Sequence, residues 1–397
     1  MKYIVNLIPK SPISLREGRT QTDHSTLDYI PGSIVHGTLA SAHALLREDG
    51  TEFNQFFFDE VSFSNLYPAL FRHKDLQGEM DPVYPLPATT LTCKRFSGFK
   101  DDYDEADPES NRPHGVWDGL IAWTLFALSG QQNYDALDDN LKDCPMCNES
   151  LDRIDGFYRH DELTFGKAKL EKTIRTRTGI DRRTGVVQHG ILYSREAVSP
   201  ETNFWGTLSV SDDHGDEFYE FVEETQGYGL LRVGNNRTRG FGNVTLNLEE
   251  AEEEVDSVTA LEERVRAFNA ELQQQANNQI YVPITLISDI IVQDSLLRFC
   301  RAIEPYHLAT RGIPEAEPIY QNSSTRRVMG WHHLWGMPKA DELAISMGSV
   351  FLFGFKQPFN DWQALFDLQT EGLGLRRREG FGQLMIANPF HWEVKGL

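Results

Sequence analysis

The tripeptide Gly-Phe-Gly occurs twice in this chain, each time behind a cluster of arginines and ahead of an apolar stretch. The first run is Arg232-Val233-Gly234-Asn235-Asn236-Arg237-Thr238-Arg239-Gly240-Phe241-Gly242, and the second is Gly372-Leu373-Gly374-Leu375-Arg376-Arg377-Arg378-Glu379-Gly380-Phe381-Gly382. Glycine accepts positive φ and close backbone approach, so such a loop can present several N–H groups together. Arginine beside it adds planar, bidentate donors for phosphate oxygens. The chemistry is that of seating a polyanion. Its duplication points to two related domains. A dinucleotide site is a poor fit, because the glycine-rich fingerprint should follow a strand and open a helix, whereas each run here follows a helix and opens a strand.

A third basic stretch, residues 172–185, sets Arg175, Arg177, Arg182 and Arg183 among threonines and glycines. Alternate residues of an extended segment project to one face, which suits tracking a phosphate backbone. Asp181 is the one acid among them and could orient a neighbouring arginine. Nearer the N-terminus, Ile30-Pro31-Gly32-Ser33 opens a helix with Ser33 as the expected N-cap, and the N–H groups of a helix start favour an anion. His36 and His43 fall on one face of that helix. His36 could serve as general base for RNA cleavage by a 2′-OH, but no second group completes an acid–base pair, so a packed or ligand-contacting histidine is the simpler reading. Trp331, His332, His333 and Trp335 could stack on bases, or be ordinary residues of a strand.

Cys144-Pro145-Met146-Cys147 forms a turn that points two thiolates at one cation. Cys93 and His114 lie in the same irregular region and would complete four ligands for a structural zinc. Buried, unpaired cysteines are the plainer alternative. A redox pair is disfavoured, since no βαβ pattern surrounds the motif. Cys300 reads as a core residue on an apolar helix.

The elements that must position these residues repeat in outline. The first half reads as a strand at 2–9, a helix at 33–48, strands near 187–196 and 203–211, a helix near 214–226, the first glycine loop and a strand at 243–246. The second reads as a strand near 281–287, a helix near 293–302, strands near 327–334 and 346–355, a helix near 359–371, the second loop and a strand at 383–386. Both follow the β-α-β-β-α-β order of a ferredoxin-like fold. The expected class is α+β: a first domain over 1–248, a helical linker over 249–279 and a second domain over 280–397. An insertion at about 50–170 separates the first helix from the second strand. Val258, Leu261, Val265, Phe268 and Leu272 recur at helical spacing in the linker.

Composition limits the functions open to such a chain. With 397 residues and 40% hydrophobic content it can bury a substantial core, and no apolar run approaches the roughly 20 residues of a membrane span. Four cysteines fit a reducing cytoplasm. A net charge of −21 argues against indiscriminate binding of nucleic acid. The acids, however, gather at 101–105, 138–139 and 249–254, away from the arginine clusters, which leaves room for one basic face on an acidic body.

These motifs together resemble the RAMP superfamily of CRISPR-associated proteins. The resemblance rests on Ile30-Pro31-Gly32-Ser33 with His36-Gly37, the segment Arg175 to Arg182, and both Gly-Phe-Gly loops. Cys93-Lys94-Arg95-Phe96, His114-Gly115-Val116 and the Cys144–Cys147 turn are similar to those of the two-domain Csx-type subunit of type III-D effector complexes. The resemblance implies two RRM-like domains and a non-catalytic role in holding the 5′ handle of a guide RNA and capping the assembly. Its implied partners are the guide RNA, the large subunit and the RAMP filament subunits. The implied RNA contacts map onto Ser33, His36, Arg175, Arg177, Arg182, Arg183, Arg237, Arg239, Arg376, Arg377 and Arg378. The accompanying loop glycines are Gly234, Gly240, Gly242, Gly374, Gly380 and Gly382. Glu379 departs from a purely basic pattern in the second loop.

Overall fold

The computed structural model describes residues 1–16, 25–47, 50–71, 80–102, 112–130, 141–160, 164–168, 170–181, 183–251, 257–272, 278–332 and 336–396. The N-terminal strand Lys2–Pro9 turns Tyr3, Val5 and Leu7 inward at period two. It lies between Val244–Glu250 and Asn203–Ser209, antiparallel to both. Tyr67–Phe71 pairs with the far side of Asn203–Ser209. In chain order the four strands are therefore arranged fourth, first, third, second. Two helices cover one face of this sheet. Gly32–Leu46 contributes Val35, Leu39 and Ala42, and Gly215–Gly227 contributes Phe218, Phe221 and Val222.

The second sheet has the same arrangement. Leu384–Ile386, Gln279–Leu286, Val350–Lys356 and Glu317–Asn322 stand in the order fourth, first, third, second. Here the helix Val258–Glu271, expected as a linker, packs into the core through Leu261 and Val265, together with Leu365 and Leu368 of Trp362–Glu371.

Several sequence expectations are corrected. The segment near 187–196 is not the second strand of the first sheet. Val187–Val198 pairs with Lys172–Ile180 as a separate two-stranded hairpin, and Tyr67–Phe71 takes the sheet position instead. The insertion accordingly follows the second strand and does not precede it. Residues 293–302 form no helix; a short one occurs at Pro305–Ala309, and Cys300 sits outside it, half-buried. Thr325–Val328 pairs with Glu342–Ile345 away from the main sheet, whose second strand is Glu317–Asn322. Both overlooked strands carry proline at their second position, Pro68 and Pro318. Proline donates nothing to a ladder and ordinarily argues against a strand interior.

The insertion builds two three-stranded sheets of its own. Its core residues Leu86, Phe99, Val116, Tyr158 and Phe165 pack against Phe390 and Val394 near the C-terminus. Among the described residues no helix is long and apolar enough to cross a membrane.

Candidate nucleic-acid interface and metal centre

The two glycine loops share one backbone. Gly234, Asn236, Gly240 and Gly242 have φ of 82°, 61°, 82° and 77°, and Gly374, Arg376, Gly380 and Gly382 have 90°, 56°, 88° and 85°. Each left-handed residue, Asn236 or Arg376, precedes one 3₁₀ turn, Arg237–Arg239 or Arg377–Glu379. Val233 N–H donates to Gly242 O at 2.8 Å, and Leu373 N–H donates to Gly382 O at 2.9 Å. Glycine is needed where the turn closes, because a Cβ at Gly242 or Gly382 would strike the carbonyl of Val233 or Leu373.

The side chains on that shared backbone have diverged. Arg376 is tied to Glu379 through two nitrogens, at 3.1 and 2.6 Å, and to Glu342 at 2.6 Å. It also lies over the Phe381 ring, 4.7 Å from the centroid. Burial alone would raise the Glu379 carboxyl, but the hydrogen bonds and charge of Arg376 outweigh it and hold that group below its ordinary value. In the first loop the cation over phenylalanine comes from outside. Arg177 of the hairpin sits 4.8 Å from the Phe241 centroid and donates to Arg239 O at 3.1 Å. Arg237 is folded in, donating through Nε to Gly234 O at 3.0 Å, and burial lowers its guanidinium from the ordinary value.

These elements meet in one cleft of about 880 Å³. Its lining includes Arg16, Ser33, Arg195, Gly234, Arg237, Lys339, Arg376 and Glu379, five cations against one carboxylate. Arg195 stands directly across the hairpin from Arg175. Like charges directly opposite one another repel across a strand pair. Arg16, Arg195 and Lys339 were not among the sequence candidates, because each is isolated in the chain. Arg195 could have been found by reading the hairpin register.

A second groove of about 1190 Å³ adjoins the cleft and shares Ser33, Gly37, Ser41, Lys339, Arg376 and Glu379 with it. Arg377, Arg378, Gly374 and His36 line this groove. The His36 Nε2 lies 2.9 Å from Phe57 O, and its ring is edge-on to Phe57 and Phe63. Burial lowers its pKa below the ordinary value, so the ring is neutral near pH 7 and donates Nε2–H to that carbonyl. His43 is core, enclosed by Phe53, Phe56, Phe57 and Phe221.

Other expectations shift. Pro31, not Ser33, is the N-cap, and Gly32 N–H donates instead to Asn65 Oδ1 at 3.0 Å. Asp181 accepts from the backbone of Arg183 at 2.7 Å, closing the hairpin turn without touching an arginine side chain in that contact. Arg175 and Arg183 are exposed along the hairpin, and Arg182, His333 and Trp335 lie outside the described residues.

Cys93, His114, Cys144 and Cys147 come together in the insertion, with all ligand atoms within 4.8 Å of one another. Cys93 Sγ lies 3.5 Å from Cys147 Sγ, and His114 Nδ1 lies 3.3 Å from Cys144 Sγ. These are non-bonded separations, far beyond a disulfide. They suit neighbouring corners of a tetrahedral zinc site, which stand about 3.5–3.8 Å apart for ordinary Zn–S and Zn–N lengths. The turn supports the same reading. Asn148, at φ 56°, donates its N–H to Cys144 O at 2.8 Å, and Phe96 N–H donates to Cys93 Sγ at 3.4 Å. The residues present fit a metal ion.

Residues 10–245 match the RAMP superfamily. No curated protein matches the sequence. Similar solved structures are distant. A chain of the type III-B Cmr-beta complex bound to cognate target RNA is 13% identical, with a TM-score of 0.42 over 96% of both chains. A Cas6 product complex is 10% identical, with a TM-score of 0.39 over 97% of this chain and 100% of that one. Cmr4 from Pyrococcus furiosus is 16% identical, with a TM-score of 0.25 over 63% of this chain and 98% of that one.

Proposed function

This chain belongs to the RAMP superfamily, and we propose that it serves as a non-catalytic RNA-binding subunit of a type III CRISPR effector complex. On this reading it holds the 5′ handle of the guide RNA and caps an assembly of the type III-D kind, beside the large subunit and the filament subunits. One observation carries the proposal. Arg16, Arg195, Arg237 and Lys339 converge with the start of the first helix and the first glycine loop in a single cleft, on a chain whose net charge is −21. Local cations override a repulsive body only when they are gathered, and here the fold gathers these four from four separate stretches of sequence. Arg177 fixes the basic hairpin to the same loop. A zinc ion held by Cys93, His114, Cys144 and Cys147 would brace the insertion.

The test is binding of single-stranded repeat RNA by the full chain across a salt series. Replacing Arg175, Arg177 and Arg195 with Ala should weaken binding and reduce the log–log salt slope by about 0.7 per lost phosphate contact. An unchanged slope would remove the hairpin from the interface. The competing reading, a metal-independent endoribonuclease with His36 as base, predicts a specific cut of that RNA in EDTA that His36→Ala abolishes. Engagement of Nε2 by Phe57 O favours the scaffold. Assembly with the other subunits that survives loss of the RNA would favour a protein–protein adaptor.

A further inference from the structure

Gly37 sits inside the helix Gly32–Leu46, where glycine costs about 1 kcal/mol relative to alanine. No steric reason within the protein requires it, because a Cβ there would meet nothing within 4 Å. It faces the junction of the basic cleft and the adjoining groove, and lines both. Around it the helix lines the groove with the small side chains of Ser33, Ala40, Ser41 and Ala44, and with His36 and Leu45. The rest of the lining includes aromatic residues. Phe56 and Phe57 are buried, whereas Phe58 leaves 60% of its surface exposed in the same run of three phenylalanines. It faces the groove with Leu375, Arg377 and Arg378. Helix backbone left bare at Gly37, the uncovered face of Phe58 and a rim of Lys339, Arg377 and Arg378 with Glu371 and Glu379 thus enclose a space continuous with the basic cleft.

We propose that this groove receives an unpaired nucleobase of the bound RNA, turned out of the strand at Gly37 and stacked on Phe58. The proposal rests on the RNA-binding reading above and adds the site where one base is held. Every base has a π-face, so aromatic stacking captures it without demanding a sequence. Arginine planes at the rim can stack on the base or pair with the flanking phosphate. Missing side-chain volume at Gly37 lets the sugar–phosphate backbone pass close to the helix as it leaves the cleft.

The experiment uses the full chain and single-stranded repeat RNAs carrying 2-aminopurine at successive positions. Wild type should quench one position strongly, and Phe58→Ala should abolish that quenching while weakening binding by about tenfold or more, as loss of one base–aromatic stack does. Gly37→Trp should fill the groove and also abolish the quenching. Gly37→Ala should melt no lower than wild type, which separates occlusion from misfolding. The RNA-binding reading fails if no RNA binds with a salt-dependent affinity. The groove proposal fails separately if RNA binds in that way but no position responds to Phe58→Ala. It fails equally if Gly37→Trp binds RNA normally and instead loses a protein subunit, which would make the groove a protein seat.

Discussion

Arg376 and Glu379 show how one position can keep a motif's shape and surrender its chemistry. Arg376 stands at φ 56°, as Asn236 does in the first loop, yet its guanidinium is spent on Glu342, Glu379 and the Phe381 ring. The second loop therefore turns Arg377 and Arg378 to the groove, while Arg376 ties the loop to the strand Glu342–Ile345, and Gly380 lies beside Gly32 at the start of the first helix. A pH dependence follows. The folded pKa of Glu379 lies below its ordinary value of 4.5, so its contribution to stability is complete above that value and is lost as pH falls through the folded one. Glu379→Gln should lower the melting temperature at pH 7 and flatten the decline of melting temperature on acidification below about pH 5. Parallel acid limbs in wild type and variant would show that the pair contributes nothing to folding.

Among the elements, the Cys144–Cys147 turn of the candidate metal centre is the most sharply testable. Zinc binding by four ligands from three separated stretches should hold the insertion's strands Thr90–Cys93, Val116–Asp118 and Leu151–Arg153 together. Purified protein should carry about one zinc per chain. Cys144→Ser should lower that content and expose the insertion to protease before the rest of the molecule. Full zinc content in Cys144→Ser would exclude that residue as a ligand. This cluster was legible in the sequence because Cys-x-x-Cys fixes its own geometry, and so was the likeness of the glycine loops, whose glycines recur at identical intervals. The second strand of each sheet was not legible. Tyr67–Phe71 and Glu317–Asn322 are short and carry a proline, whereas Val187–Val198 has the longer β-rich run and belongs to a hairpin outside the sheet. The basic cleft was half legible. Clustered arginines announced themselves, but Arg16, Arg195 and Lys339 acquire meaning only through tertiary proximity.

At the scale of the molecule, the insertion belongs by sequence to the first half, where Phe157 packs on Tyr29 and Tyr67, yet it is also bound to the second. Asp118 Oδ1 lies 3.1 Å from His391 Nδ1, both side chains are fully buried, and Thr285 Oγ1 lies 2.7 Å from His391 Nε2. Tyr158 and Asn388 are hydrogen-bonded across the same boundary at 2.9 Å, and Leu120 packs with Phe268 and Tyr281. A protease site engineered into 252–256 should therefore yield two fragments that co-elute in gel filtration after cleavage. Separation without denaturant would overturn that expectation. Such interlocking means that neither portion could be traded between homologues as a cassette: any chimera would have to inherit the insertion and the segment from Asn388 to Val394 from the same parent, or mend the seam between them.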